Sequence, residues 1–144
     1  MPVILQNDQR AVAIDQKWLG RTAEAILSAA RAETTELSVV LVSDRRMRAL
    51  NRRYRKQDRP TDVLAFPLRE GKCSRFRRSL LGDVVISMQT AKRQAKELGH
   101  SLRKEVVRLL VHGILHLLGY DHERNVRAAA VMARRERAIL RAIR

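Results

Sequence analysis

One helix has to lie at the centre of this protein. Residues 101–118, SLRKEVVRLLVHGILHLL, read as a helix that becomes apolar almost all round in its second half. A helix with one apolar stripe packs on one side only, whereas a helix apolar on every side has to be enclosed. The nearly apolar run 109–118 is too short to span a bilayer and carries two histidines, so the enclosing material is protein and not lipid. With 144 residues, 45% of them hydrophobic and 3% aromatic, the chain can build one aliphatic core around such a helix.

The remaining segments supply the enclosure. PVILQ (2–6) reads as a short strand, and DQKWLGRTAEAILSAARAE (15–33) as a helix capped by Asp15, with Leu19, Ala23, Ile26, Leu27 and Ala30 at helical spacing. ELSVVLVS (36–43) is rich in β-branched residues and reads as a buried strand. DRRMRALNRRYR (44–55) is a short helix with Met47, Leu50 and Tyr54 on one face and arginines elsewhere; Pro60 is the break expected after it, since it disfavours helical geometry at Arg59. DVLAFP (62–67) and GDVVISM (82–88) are strands, joined by a basic stretch (68–81) without periodicity, expected to be a mobile surface loop. Helices follow at 87–99, from the cap Ser87 to the stop signal Gly99, at 101–118 and at about 125–143. This order predicts an α+β fold, a single domain over 1–144 with a small mixed four-stranded sheet packed with about five helices. A single cysteine, Cys73, excludes an internal disulfide, and no basic n-region precedes the first apolar run. Both features lead us to expect a cytoplasmic protein with no membrane partner.

The central helix also carries the chemistry. Three of the four histidines, His112, His116 and His122, fall within VHGILHLLGYDH; the fourth, His100, lies in a Gly-His-Ser turn. Four residues advance about 400° on a helix, so His112 and His116 share a face about 40° wide. Gly119 sits where a helix ends in a left-handed residue, a turn that brings His122 back to the same point. Three neutral imidazoles leave one position of a tetrahedral Zn²⁺ open, the pattern of a catalytic rather than a closed structural site. Zinc proteases place a Glu general base directly after the first His of a similar motif. Here that position is Gly113, which argues against proteolysis by that route. A purely structural zinc with a fourth ligand, for which Cys73 is the candidate, is the competing arrangement. Asp121 is placed either to orient an imidazole or to cap the turn after Gly119.

Lys and Arg number 30 against 15 Asp and Glu, a net charge of +15 that favours polyanions, nucleic acid first. The arginines of 45–59 and the basic loop 72–78 are the candidate path for a single strand.

Three segments together resemble one family. HGILHLLGYDH resembles the signature His-Gly-x-Leu-His-Leu-x-Gly-Tyr-Asp-His of the YbeY family of bacterial endoribonucleases. LNRRYRKQDRPTDVLAFP (50–67) resembles that family's Leu-Asn-x-x-Tyr-Arg-x-x-Asp-x-Pro-Thr-Asp-Val-Leu-Ser-Phe-Pro block, and LGDVVIS (81–87) its Leu-Gly-Asp-Ile-Val-Ile-Ser strand. The blocks fall in the same order within about 36–136; the first strand and helix fit only in type. Ala65 stands where the family commonly has Ser, and the last helix is Arg-rich where relatives are often acidic.

The resemblance implies a metal-dependent, single-strand-specific endoribonuclease acting at the 3′ end of small-subunit rRNA and in ribosome quality control. Its partners would be RNA and the small ribosomal subunit, with no DNA specificity. It implies one zinc ion per chain on His112, His116 and His122, and roles in activity for His116 and Arg55. Zinc acidifies water or polarises a phosphoryl oxygen, and a guanidinium fork matches phosphate oxygens. From the residues alone, nothing separates Arg55 from Arg52, Arg53 or Arg59; only the resemblance singles it out. Two other readings stand beside it: a zinc hydrolase of another substrate class, such as peptides, and a ribosome-assembly RNA-binding factor whose metal is structural. Glu136, at the centre of the stripe Met132, Ile139, Leu140 and Ile143, is expected to find a structural partner at a helix start or an arginine.

Overall fold

A computed structural model describes residues 3–33, 35–67 and 80–143. Its elements are β1 (Val3–Asn7), α1 (Gln16–Ala29), β2 (Glu36–Val42), α2 (Asp44–Arg55), β3 (Val63–Pro67), β4 (Leu80–Ser87), α3 (Met88–Leu98), α4 (Leu102–Leu117) and α5 (Val126–Ala142). They follow the order expected from sequence. The strands form one four-stranded sheet in the order β1-β2-β4-β3. β2 runs parallel to β1 and β4, and β3 runs antiparallel to β4, so the sheet is mixed and the fold is α+β. Cys73, the loop 72–78 and most of the stretch 68–81 lie outside the described residues.

Alternation along the strands divides the core between two faces. Leu37, Val39, Leu41, Val84 and Ile86 face one side, where they meet buried residues of α1, α4 and α5. Val42, Leu64 and Val85 face the other, covered by Met47 of α2. α4 is enclosed as its composition demands. Val106, Leu109, Leu110, Val111, Ile114 and Leu115 are all buried, and the helix contacts β3, β4, α1, α3 and α5.

Helix ends show where local signals hold and where they do not. Asp15 caps α1 by accepting the Trp18 N–H at 3.1 Å, as expected. The other end comes at Ala29 rather than near 33. There the Arg31 N–H bonds to the Ser28 carbonyl and the Ala32 N–H to the Leu27 carbonyl, with Arg31 left-handed at φ 59°. This closure favours glycine, and an arginine in that position gives no sequence signal. α2 covers the expected residues, but Pro60 is not its terminator: Lys56, left-handed at φ 57°, ends it, and the Gln57 N–H closes onto the Asn51 carbonyl. The buried Asn51 side chain then holds the following segment by donating to the Arg59 carbonyl at 2.8 Å.

Asp44 fixes α2 against α3. Its carboxylate accepts hydroxyls from Ser87 and Thr90, both at 2.6 Å, and pairs with Arg93 at 2.8 Å. Burial alone would raise its pKa, but these three partners outweigh it and hold the carboxyl below its usual range. Ser87 therefore bonds across to Asp44 rather than capping its own helix.

Helix α4 meets the sheet closely at Gly113. A Cβ there would lie 2.7 Å from Val84 Cγ1 and 3.1 Å from Cγ2. Glycine is the residue that lets α4 rest on β4. Gly113→Ala is expected to lower stability by about 1–3 kcal/mol through overpacking, read from the shift in denaturant midpoint at unchanged m-value.

Candidate metal centre

α4 ends in a closure that turns the chain back on itself. Gly119, at φ 103°, donates to the His116 carbonyl at 3.0 Å, and the Tyr120 N–H donates to the Leu115 carbonyl at 3.0 Å. The turn returns His122 to the face that carries His112 and His116, one helical turn apart. Asp121 Oδ1 accepts the Glu123 N–H at 3.0 Å, so of its two expected roles it takes that of capping the turn.

The three imidazoles converge. Ring centroids are 4.8 Å apart for His112–His116 and His112–His122, and 5.1 Å for His116–His122. One nitrogen from each lies within 4.8 Å of the others. His116 Nε2 and His122 Nδ1 are 3.1 Å apart, close to the roughly 3.4 Å that two nitrogens adopt on one tetrahedral zinc with Zn–N bonds of about 2.05 Å. Among the described residues no fourth His, Cys, Asp or Glu joins the group. The donor set therefore fits a divalent ion of borderline softness with an open position.

Glu136 does not have the partner expected from sequence. Its Oε2 lies 3.2 Å from His112 Nδ1, across from α5 to α4, rather than at a helix start or an arginine. A carboxylate accepting the Nδ1 proton fixes the tautomer and leaves Nε2 free to bind an ion. The lone acid on an apolar stripe was visible from sequence, but its partner depends on how α5 crosses α4.

The histidines line a cavity of about 670 Å³ whose wall also includes Tyr54, Arg55, Asp62, Ala65 and Arg108. Of the four arginines that sequence could not separate, only Arg55 lines it. Its Nη2 lies 3.7 Å from Glu123 Oε1, and its side chain is 44% exposed. Arg48 instead makes a two-bond fork to Asp58, at 2.8 and 3.1 Å, and Arg52 lies 3.8 Å from the same carboxylate. The basic face of 45–59 is therefore partly neutralised by its own acid. Arg108 was not singled out from sequence, although it precedes His112 by four residues and so shares its face.

His116 has its pKa lowered from 6.5, first by burial and then by the neighbouring His112 and His122. A histidine whose folded pKa is depressed favours the neutral, ligating form. Its contribution to stability is present above the unfolded pKa and is lost as pH falls below about 6.5. The metal-free protein should show a falling melting temperature in that range, and His116→Gln should flatten the decline. Glu136→Gln should weaken metal affinity by about 10–100-fold, measured by chelator competition, with the fold retained.

Comparisons with known proteins give the family and the fold. The family model described as Endoribonuclease YbeY matches residues 4–144. A protein named Endoribonuclease YbeY from Aquifex aeolicus is 52% identical over 124 residues, covering 85% of this chain and 78% of the relative. Another of that name from Persephonella marina is 46% identical over 130 residues, covering 90% of this chain and 84% of the relative. The solution structure of TM1509 from Thermotoga maritima superposes with a TM-score of 0.68 at 27% identity, over 98% of this chain and 88% of that one. With the three-histidine group at the end of its central helix, the chain belongs to the Endoribonuclease YbeY family.

Proposed function

We propose that this protein is a zinc-dependent endoribonuclease for single-stranded RNA, acting at the 3′ end of small-subunit rRNA during ribosome maturation and quality control. Family membership supports hydrolytic cleavage of RNA. The observation that carries the reading is the meeting of three convergent imidazoles and Arg55 on one cavity. His112, His116 and His122 would hold the ion. When bound there, zinc lowers the pKa of water and polarises a phosphoryl oxygen.

The chain's own residues then have distinct tasks. His116 would hold the ion from the last turn of α4, in the neutral form that burial favours. Arg55 meets the phosphate, exchanging the exposed Glu123 carboxylate for a phosphoryl oxygen, and offers charge relief as the transition state develops. Tyr54, 56% exposed and braced edge-on by Phe66 with centroids 5.2 Å apart, presents a ring on which an unpaired base can stack. A base within a duplex cannot reach it, which favours a single strand.

The peptidase reading is disfavoured by packing. The residue after His112 points its Cβ direction at Val84, so a Glu general base has no room there. The structural-metal reading would need a fourth ligand; among the described residues none joins the three histidines, which stand beside an open cavity.

Arg55→Ala should retain zinc and melting temperature while losing about a hundred- to thousand-fold in cleavage rate. Arg55→Lys should recover little of this, because a point charge does not replace a fork. His116→Ala should lose zinc and activity together. The controls are Arg45→Ala and Arg46→Ala, exposed positions on the same helix. If either slows cleavage of an unstructured RNA as much as Arg55→Ala does, the role assigned to Arg55 is wrong.

A further inference from the structure

The fourth histidine belongs to a second polar device, on the opposite flank of α4 from the turn. Glu105 is fully buried, at 0% exposure. One carboxylate oxygen lies 2.8 Å from His100 Nε2 and 3.0 Å from Arg108 Nε, and the other accepts from Arg108 Nη2. A carboxylate this buried is costly unless paired, and here all its partners are accounted for. Burial would raise its pKa, but the bonds from Arg108 and His100 outweigh this and hold it below the usual range. Glu105 is therefore an anion under Arg108.

Arg108 does more than neutralise Glu105. Its side chain is 43% exposed and lines the cavity that holds the three histidines. The pairing with Glu105 occupies the Nε–Nη2 edge of the guanidinium; among the described residues Nη1 makes no hydrogen bond. Residues 108, 112 and 116 form one row along α4, so Arg108 stands about one helical turn, four residues or about 6 Å along the axis, before the first histidine. That spacing is of the order of the step between consecutive phosphates on a strand. Arg55 approaches the same cavity from α2, beside Glu123 and the turn.

We propose that Arg108, held in place by the buried Glu105–His100 pair, is a second phosphate-binding site: it takes the RNA phosphate next to the one under attack. Resting on the ribonuclease reading above, this gives the cavity a two-phosphate track, with the scissile phosphate at the histidines and Arg55 and its neighbour at Arg108. Arg108 then acts on strand binding, and Arg55 on the chemical step.

Single-turnover cleavage of an unstructured RNA by the zinc-loaded protein across a salt series separates the two roles. Arg108→Gln is expected to raise the half-saturating protein concentration about ten- to hundredfold and leave the saturating rate within a few-fold. It should also reduce the salt slope of the half-saturating concentration by about 0.7, the counterion release of one single-strand phosphate contact. Arg108→Lys keeps the charge without the fork and should retain the wild-type slope. Arg103→Gln, on the same helix but over the Trp18 ring at 4.7 Å, should leave the slope unchanged. Zinc content and melting temperature are measured for each variant. Arg108→Gln with wild-type slope and half-saturation would overturn the proposal, as would Arg108→Lys with the reduced slope, or Arg103→Gln with a loss equal to that of Arg108→Gln. A wild-type protein that does not cut RNA would overturn the ribonuclease reading and the second phosphate site with it. Normal cutting with an unchanged Arg108→Gln variant would overturn only the second site.

Discussion

The contact between Gly113 and Val84 sets the position of everything else in the site. It lets α4 lie directly on β4, and a helix so close to the sheet has to be apolar on nearly every face. What α4 offers the cavity for polar chemistry is one row, Arg108, His112 and His116, at the rim where the helix leaves the core. The depth of that row follows from the depth of the helix. The row is therefore half-buried rather than solvated, which keeps His116 neutral and gives the ion pairs around it more weight than on an open surface.

The net charge of +15 counts every cation alike, whether or not an acid stands beside it. Around the cavity each cation has an acid close by: Arg55 has Glu123, Arg108 has Glu105, and on the outer face of α2 both Arg48 and Arg52 have Asp58. The pairs differ in kind. Those of Asp58 and Glu123 are exposed and weak, so a phosphate can displace them at small cost. The Glu105 pair is anchored in the core and keeps its geometry. Counting charges along the chain does not distinguish a cation that is exchangeable from one that is fixed; the burial of the acid does.

Much of this was legible from local signals. Strand alternation, the cap Asp15 and the stop signal Gly99 act within a few residues, and the elements fall where they point, whereas Ser87, read as a cap, bonds Asp44 instead. The convergence of His112, His116 and His122 was equally legible, because all three are carried by one helix and its closing turn. What could not be read depended on contacts between distant segments or on residues outside their usual conformation. Arg31 closes α1 in a conformation that favours glycine. Glu136 reaches His112 only because α5 crosses α4, and Arg55 is distinguished from Arg52, Arg53 and Arg59 only by which side of the α2 terminus faces the cavity. Arg108 was within reach: it precedes His112 at the same four-residue interval by which His112 precedes His116.

The turn at Gly119 has a consequence for how the protein comes into being. His112 and His122 are ten residues apart on one helix and its closing turn, whereas Arg55 and β3 reach the cavity from a segment about fifty residues earlier in the chain. Contacts of short sequence separation form early and at small loop-closure cost, and those of long separation form late. The three imidazoles can therefore gather while the opposite wall is still unformed. A chain whose histidines have converged is not for that reason a chain whose cavity is complete.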